Sequence, residues 1–567
     1  MILTPMKLTE PTIIELDIRK LEEAFDRAQA TLDPKDFALF KTMAESYLYF
    51  AEYIGSKNAT IARLRKMIFG TTTEKTAAVC GKKSDTPDTP SANDAADASA
   101  APGPVTDAEN SEKTPPKGHG RNGAGVYSGA EKVQIALESL QAGDPCPNCE
   151  EGTVYDSIPG VVMRIVGQSP IQAKIYELQK LRCNLCGMLF TAPSPVGEEK
   201  YDATAGSMVA LLKYGSGMPF HRMEGLQKHL GIPLPASTQW DIVHAKAEQV
   251  EPAFNELLRQ AAQGDVVHND DTTVKILELM NQRKARQAAL AEDASEGSAK
   301  KDPSQRNGMF TTGIVSIRAE HKIALFLSGQ KHAGENLKEV LIQRAAELPW
   351  PIQMCDALSR NMPAGLKTVL ANCLAHGRRQ FVDVAEQFPD ECRHVLESLS
   401  VVYRNDAVAR ERNLSPAERL LFHQAESGPT MEELYAWLGR QFPERRVERN
   451  SGLGGAISYL LKHWDKLTLF LRVAGAPLDN NICERALKKA ILHRKNALFY
   501  KTCHGAHVGD IFMSLIYTCE FCGTNPFDYL TELERHAGEL SANPQNWLPW
   551  NYRQTLDGAA TLTPTAP

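Results

Sequence analysis

The chain has 567 residues, of which 43% are hydrophobic, and its formal net charge at pH 7 is −6. This length exceeds what one hydrophobic core supports and predicts three or four folded units. The composition excludes a uniformly basic DNA-binding surface, and no apolar run is long enough to suggest a membrane span. The N-terminus also lacks the pattern of a secretion signal. We therefore expect a cytoplasmic, multidomain α+β protein.

Residues 1–76 are predicted to be helical. Apolar side chains recur at alternating steps of three and four between Phe40 and Ile68, and only Lys57 interrupts them. About four heptads with one polar seam residue are typical of a coiled coil, so we expect this region to join chains into a homo-oligomer. An amphipathic helix that packs on its own chain gives the same pattern and stays an alternative.

Residues 77–128 have the composition of a disordered acidic linker. Between Gly81 and Lys113 there are seven acidic residues against three lysines, in a background of Ala, Ser, Thr and Pro. Such a segment cannot bury enough apolar surface to offset the entropy of ordering its backbone.

Residues 129–200 carry two Cys-x-x-Cys pairs that are separated by 33 residues: Cys146, Cys149, Cys183 and Cys186. Four thiolates on two tight turns suit tetrahedral Zn²⁺, and the strand-like segments between them predict a zinc ribbon. Two disulfides are the alternative, which the lack of a secretion signal disfavours. Cys519 and Cys522 have no partner pair, and we expect them to be free thiols.

Residues 201–262 have the outline of a helix-turn-helix. A helix from Arg222 is followed by a turn at Gly231 and a second helix, capped at Ser237 or Thr238, that runs to His244. This motif places its second helix in the DNA major groove. Any two short packed helices produce the same outline, so DNA reading here is one of two interpretations.

Three acidic positions stand out in residues 263–540. Asp270 and Asp271 lie in a β-branched strand, Asp356 ends a second apolar strand, and Glu484 opens a helix. Two strand acids and one helix acid suit two-metal phosphoryl transfer, because hard divalent cations prefer carboxylate oxygens. The alternative for Glu484 is a capping box with Asn481 as the N-cap.

The remaining elements of this region predict an α/β domain with an inserted helical segment. We expect a charged, mobile loop at 282–305, a hairpin of strands 310–318 and 323–328, and a helix at 334–346. These are followed by a strand at 368–374, the inserted helical segment at about 377–478 and a C-terminal tail at 541–567.

The segment from Asp479 to Lys501 is locally basic, with six Lys and Arg residues against two acids. Local charge, more than the overall isoelectric point, sets the affinity for phosphates. The cations that we assign to phosphate binding in this segment are Arg485, Lys488, Arg494 and Lys495.

Several ordered blocks of the chain resemble the insertion sequence 66 family of transposases. The matching blocks are Leu64 to Gly70, Cys146 to Cys149, Pro219 to Arg222, His268 to Thr272, Cys373 to Phe381, Asp479 to Asn496 and Leu548 to Asn551. The resemblance implies a ribonuclease-H-like domain with a DDE triad, Asp270, Asp356 and Glu484, that holds Mg²⁺ or Mn²⁺. It also adds Arg378 and Arg379 to the DNA-binding residues.

Three departures from the family pattern bear on the site. Asp271 replaces a glutamate that the family prefers, so either Asp270 or Asp271 is the first metal ligand. Asp356 is followed by Ala357 where a Gly-Tyr stretch is usual, and Cys483 replaces the common alanine before Glu484. His376 is either a DNA-contacting residue or a structural histidine.

The resemblance implies a DNA transposase that binds the terminal inverted repeats of a mobile element and joins cut 3′ ends to double-stranded target DNA. Its expected setting is the bacterial nucleoid, with a homo-oligomeric form and accessory transposition proteins as partners. A two-metal nuclease without strand transfer and a non-catalytic zinc-ribbon regulator are the alternatives. The mutual distances of the three acids separate the regulator from the two enzymes.

Overall fold

The computed structural model describes residues 199–293 and 308–562 continuously, together with parts of 141–197 and the isolated residues Asp33, Phe37 and Lys41. Three predictions therefore lie outside the described residues: the coiled coil of residues 1–76, the linker of residues 77–128 and the cysteines of the zinc ribbon. Within the described part of the chain, no helix has the length and hydropathy needed to cross a bilayer.

The described residues contain seven strands: β1 Lys180–Arg182, β2 Leu189–Thr191, β3 Val266–Thr273, β4 Phe310–Arg318, β5 His321–Gly329, β6 Ile352–Cys355 and β7 Val369–Asn372. Strands β1 and β2 form a small antiparallel sheet. The other five form one mixed sheet in the order β5-β4-β3-β6-β7. Strands β4 and β5 are an antiparallel hairpin, whereas β3, β6 and β7 run parallel. The predicted mixed α+β class is thus observed.

From residue 199 onward, the described part of the chain has ten α-helices before the Glu484 helix: α1 Ala203–Ala210, α2 Phe220–His229, α3 Ala236–Ala262, α4 Leu277–Asp293, α5 Ala333–Leu341, α6 Leu374–Val384, α7 Pro389–Glu411, α8 Pro416–Glu426, α9 Gly428–Arg440 and α10 Gly452–Leu467. The Glu484 helix is α11 Asn481–Ala497, and it is followed by α12 Cys503–Cys522, α13 Pro526–Arg535, α14 Ala537–Ala542 and α15 Tyr552–Leu562.

The structure corrects several of the predicted elements, and the helix expected at 334–346 ends earlier, at Leu341. The segment expected to be a charged loop from residue 282 is helical as far as Asp293, as part of α4. Its run of Leu, Gln, Arg, Ala and Glu consists of strong helix formers, and this propensity outweighs the charge on which the loop prediction relied. The outline of two helices about Gly231 is present, but α3 continues to Ala262, well beyond the predicted end at His244.

The chain divides into two compact units. The described part of the first unit comprises Asp265–Asp270 and Pro349–Ile482, and it contains α6 to α10. Apolar side chains of these helices share one core with Ile352, Met354 and Ala371 of β6 and β7. The helical segment also closes on itself, because Leu374 N donates to Leu478 O at 3.0 Å.

The second unit contains the hairpin β4–β5 and the C-terminal helices. Helix α12 covers β5 with a row of polar side chains one turn apart. Thr518 accepts from Ala324 N, Ser514 accepts from Phe326 N, and Asp510 accepts from the next outward N–H of β5. This row satisfies backbone donors that an edge strand would otherwise expose. Cys519 of α12 is buried, Cys522 is partly buried, and neither forms a disulfide.

Candidate active site

Asp270 lies within β3, and Asp356 directly follows the parallel strand β6. The β3–β6 register pairs His268 with Met354, and each acid is two residues further along its own chain. Because side chains alternate along a strand, both acids belong to the face on which the His268–Met354 pair lies. The structure therefore brings together two of the three acids singled out in the sequence.

A buried amide network fixes this strand end. Gln353 Nε2 donates to Asn269 Oδ1 at 2.9 Å and to Asn361 O at 2.8 Å, and Asn269 Nδ2 donates to the same carbonyl at 2.9 Å. The Asn361 side chain donates to Asp356 Oδ1, which also accepts from Leu358 N at 3.2 Å. Both bonds reach Oδ1, and among the described residues no hydrogen bond reaches Oδ2 of Asp356.

His268 ties β3 to the segment that precedes α11. Its Nδ1 lies 3.1 Å from Asn480 Oδ1, while Asn480 Nδ2 donates to Asn269 O at 3.2 Å. The amide orientation makes His268 Nδ1 the protonated ring nitrogen. Burial lowers the pKa of His268 to about 4, although the Asn480 bond opposes this shift. The ring is therefore neutral near pH 7 and acts as a hydrogen-bond donor.

Two buried cysteines line the same region. Asn480 N donates to Cys373 Sγ at 3.2 Å, and a ring nitrogen of His376 lies within 4.8 Å of that sulfur. Burial raises the pKa of the Cys355 thiol, and the charges of Asp356 and Asp270 raise it further. Cys355 is thus a protonated, apolar neighbour of the two carboxylates, and it is unsuited to act as a nucleophile.

Asp271 has a different environment from Asp270. It belongs to the second unit, where its side chain is 2% exposed and its Oδ2 lies 3.0 Å from His332 Nδ1. Ala333 N, at the start of α5, lies 3.4 Å from the same oxygen. The side chain of Asp271 therefore anchors β3 to the N-terminus of α5, where a carboxylate is favoured.

Glu484 lies in the first turn of α11, in the second unit. Neighbouring residues set the orientation of this helix on β4, because Cys483 Sγ lies 3.3 Å from Gly313 O and Leu487 packs against the same glycine. The helix begins at Asn481, whose side chain donates to Asp479 Oδ2 at 2.8 Å. Asn481 is therefore the first helical residue, one position later than the N-cap role considered for it.

The predicted phosphate-binding cations of α11 have two environments. Arg485, Lys488 and Lys495 are exposed and recur at helical spacing, so they share one face. Arg494 instead donates to Thr272 Oγ1 at 3.1 Å and to Thr273 Oγ1 at 2.8 Å, so it supports the end of β3. Arg378 and Arg379 lie in α6 and are half-buried.

The sequence did not reveal the amides that hold the site. Asn269, Gln353 and Asn361 carry no motif of their own, and their pairing depends on a strand register that a single sequence does not specify. The one signal was the unusual polarity of Asn269 and Gln353 inside apolar strands, since buried polar side chains require partners.

Two relatives from Sinorhizobium fredii are similar to this chain. Uncharacterized protein y4hP is 25% identical over 441 residues, which cover 73% of this chain and 74% of the relative. Uncharacterized protein y4jD is 35% identical over 196 residues, which cover 34% of this chain and 37% of that relative. No solved structure shows significant similarity to the chain.

A family model described as Transposase IS66 family matches residues 200–508, a segment that contains β3 to β7, the two paired aspartates and the Glu484 helix. Since this segment covers more than half of the sequence, the chain belongs to the Transposase IS66 family.

Proposed function

We propose that this protein is a DNA transposase with a ribonuclease-H-like catalytic domain, in which Asp270, Asp356 and Glu484 form the catalytic triad. The observation that carries the proposal is that Asp270 and Asp356 hold equivalent positions, each two residues beyond the His268–Met354 register pair of the parallel strands β3 and β6. A central strand flanked by a hairpin on one side and two parallel strands on the other supports the assignment of the domain. Family membership supports the substrate, which is the DNA of a mobile element.

The donor set fits divalent cations. Two carboxylates on one face of the sheet offer hard oxygen ligands, and Asn361 holds the Asp356 carboxylate in place through its Oδ1. Asp270 and Asp356 would hold Mg²⁺ or Mn²⁺ together with Glu484. Bound cations would neutralise charge on the attacking and leaving oxygens of an in-line displacement at phosphorus.

The chain's own residues position the DNA. In the first step water attacks the phosphodiester at the element end, the P–O3′ bond breaks, and a 3′-hydroxyl leaves. In the second step that hydroxyl attacks a phosphodiester of target DNA and displaces a new 3′-hydroxyl. Arg485, Lys488 and Lys495 would hold flanking phosphates, and the amides of Asn361 and Gln353 would keep the acids in a fixed orientation.

The zinc ribbon, the coiled coil and the helix pair about Gly231 remain part of the proposal as DNA-binding and oligomerisation elements. We assign to them the recognition of terminal repeats, the pairing of two element ends, and the association of at least two chains. Accessory transposition proteins complete the expected set of partners.

The test uses the purified full chain and a supercoiled plasmid that carries the DNA segment encoding it with its flanks. With Mg²⁺ or Mn²⁺ we expect nicks at the segment ends and products joined to a second plasmid. Asp270→Asn, Asp356→Asn and Glu484→Gln should each reduce cutting to background while DNA binding persists. Asp271→Asn, the matched control, should still cut, because Asn can accept the bonds from His332 and Ala333.

The result also separates the alternatives. Cutting without joined products would indicate a two-metal nuclease. DNA binding with no metal-dependent cutting by the wild-type chain would favour the non-catalytic regulator and would contradict the proposal.

A further inference from the structure

One face of α10 lies beside the carboxyl ends of β6 and β7. Helix α10 packs against both β7 and α6. Helices α6 and α10 approach each other closely at Gly377 of α6. A methyl group at this position would stand 2.7 Å from Leu460 Cδ2 and 3.8 Å from Tyr459 Cε1, both in α10. Since α6 begins directly after Cys373, this contact places Tyr459 at the level of the strand ends.

Tyr459 and His463 form an aromatic pair on this face. Their ring centroids are 4.9 Å apart with 50° between the planes, and both side chains are partly exposed. Burial raises the pKa of Tyr459 to about 12, and the charge of the Asp356 carboxylate adds to the shift. The phenol is therefore a protonated group in the electrostatic neighbourhood of Asp356.

Two lysines flank the aromatic pair. Lys462 and Lys466 are exposed and one helical turn apart. Partial burial lowers the pKa of His463, and the charges of Lys462 and Lys466 lower it further, so the imidazole is neutral near pH 7. The charge of Lys466 also acts on Cys355, where it opposes the effect of burial. This face of α10 thus combines two neutral rings with two lysines, and Tyr459 and Lys466 both lie within electrostatic range of residues at the end of β6.

We propose that these four residues, which we call the α10 ridge, bind the DNA strand that runs past Asp270 and Asp356. Lys462 and Lys466 contact its phosphates, and the Tyr459–His463 pair stacks on an unpaired base. Neutral aromatic rings accept a base beside two carboxylates without adding a charge, whereas the lysines offset the repulsion between those carboxylates and the phosphates. This inference rests on the proposed function and gives the helical segment a role in positioning substrate.

The first test measures the salt dependence of DNA affinity without added Mg²⁺ or Mn²⁺. The full chain is titrated, in buffer free of chelator, with a fluorescein-labelled duplex that has a short single-stranded 3′ overhang. Lys462→Gln with Lys466→Gln should reduce the slope of log affinity against log salt by about two units, about one for each phosphate contact. Arg440→Gln with Arg445→Gln removes the same charge from exposed sites of the first unit and should leave the slope unchanged.

The second test concerns the stacking residue. Tyr459→Ala should lower affinity for the overhang probe by roughly 5- to 150-fold, whereas Tyr459→Phe should bind like wild type. On a blunt duplex, which has no unpaired base, all three proteins should bind equally. Equal loss on both probes would indicate a structural role for the ring and would overturn the stacking assignment.

An unchanged salt slope in the lysine variant would overturn the proposal for the whole ridge, and this variant is expected to fold because both lysines are exposed. These outcomes do not depend on catalysis. If the wild-type chain cuts DNA but the lysine variant has an unchanged salt slope, the proposed function stands and the α10 ridge is rejected. If the wild-type chain never cuts but the lysine variant has the reduced slope, the α10 ridge stands as a DNA-binding surface and the catalytic assignment is rejected.

Discussion

Asp510 of α12 is a buried acid whose raised pKa should weaken the fold near neutral pH. Its side chain accepts from Ser328 N at 2.6 Å and from Ser328 Oγ at 2.7 Å, and the residue is 3% exposed. Burial raises its pKa from 3.8 to about 8, against the effect of the two Ser328 bonds. The nearby phenols of Tyr214 and Tyr500 are buried, which raises their pKa values, so they stay protonated in this range. We predict that Asp510→Asn stabilises the protein at pH 7.

The sign follows from proton binding. A folded pKa above the unfolded value means that the folded state binds more protons between pH 4 and pH 8, so the free energy of unfolding falls as pH rises through this window. The expected slope is about 1.4 kcal/mol per pH unit, or roughly 2–3 kcal/mol between pH 5 and pH 7. Asn is neutral throughout and can accept from Ser328 N while donating to Ser328 Oγ. The variant should therefore match wild type near pH 4 and gain on it as pH rises.

The assay is urea denaturation of both proteins from pH 5 to pH 8, with hydrogen exchange at the Phe326 and Ser328 amides as a local readout. Only the difference between the two proteins matters, because other titrating groups contribute to both. Ser514→Ala is the control, since it removes the acceptor of Phe326 N and should cost about 1–3 kcal/mol at every pH. A difference between Asp510→Asn and wild type that does not change with pH would refute the reasoning.

Three further predictions concern packing, zinc and assembly. Gly313→Ala should destabilise the protein by about 1–3 kcal/mol in urea denaturation, because its methyl group would stand 2.9 Å from Leu487, whereas Gly329→Ala meets nothing within 4 Å and should be neutral. Metal analysis of the reduced full chain should find about one zinc per chain, and Cys146→Ser should remove it; a zinc-free wild type would contradict the ribbon. Deletion of residues 1–76 should lower the mass measured by light scattering, and an unchanged mass would assign that helix to its own chain.

Asp270 and Asp356 show how much of the candidate site can be predicted from one sequence. The β-branched run around Asp270 and the apolar run before Asp356 were sufficient to predict two strands that carry acids, because period-two burial is a local property. Which of Asp270 and Asp271 faces Asp356 depends on register, and register is set by contacts between distant parts of the chain. Asn480 illustrates the same limit, since its contacts with His268 and Cys373 join residues more than 100 positions apart.

The backbone hydrogen bond between Leu374 and Leu478 shortens the effective chain between two of the proposed catalytic residues. Asp356 and Glu484 are 128 positions apart in sequence. If the Leu374–Leu478 hydrogen bond is taken to close the helical segment, only about 24 positions of chain separate them. Loop-closure entropy grows with the logarithm of chain length, so this closure would lower the cost of forming the proposed triad by about 1.5 kcal/mol. Prior folding of α6 to α10 should thus accelerate assembly of the acids, and changes in the length of the helical segment should leave that cost nearly constant.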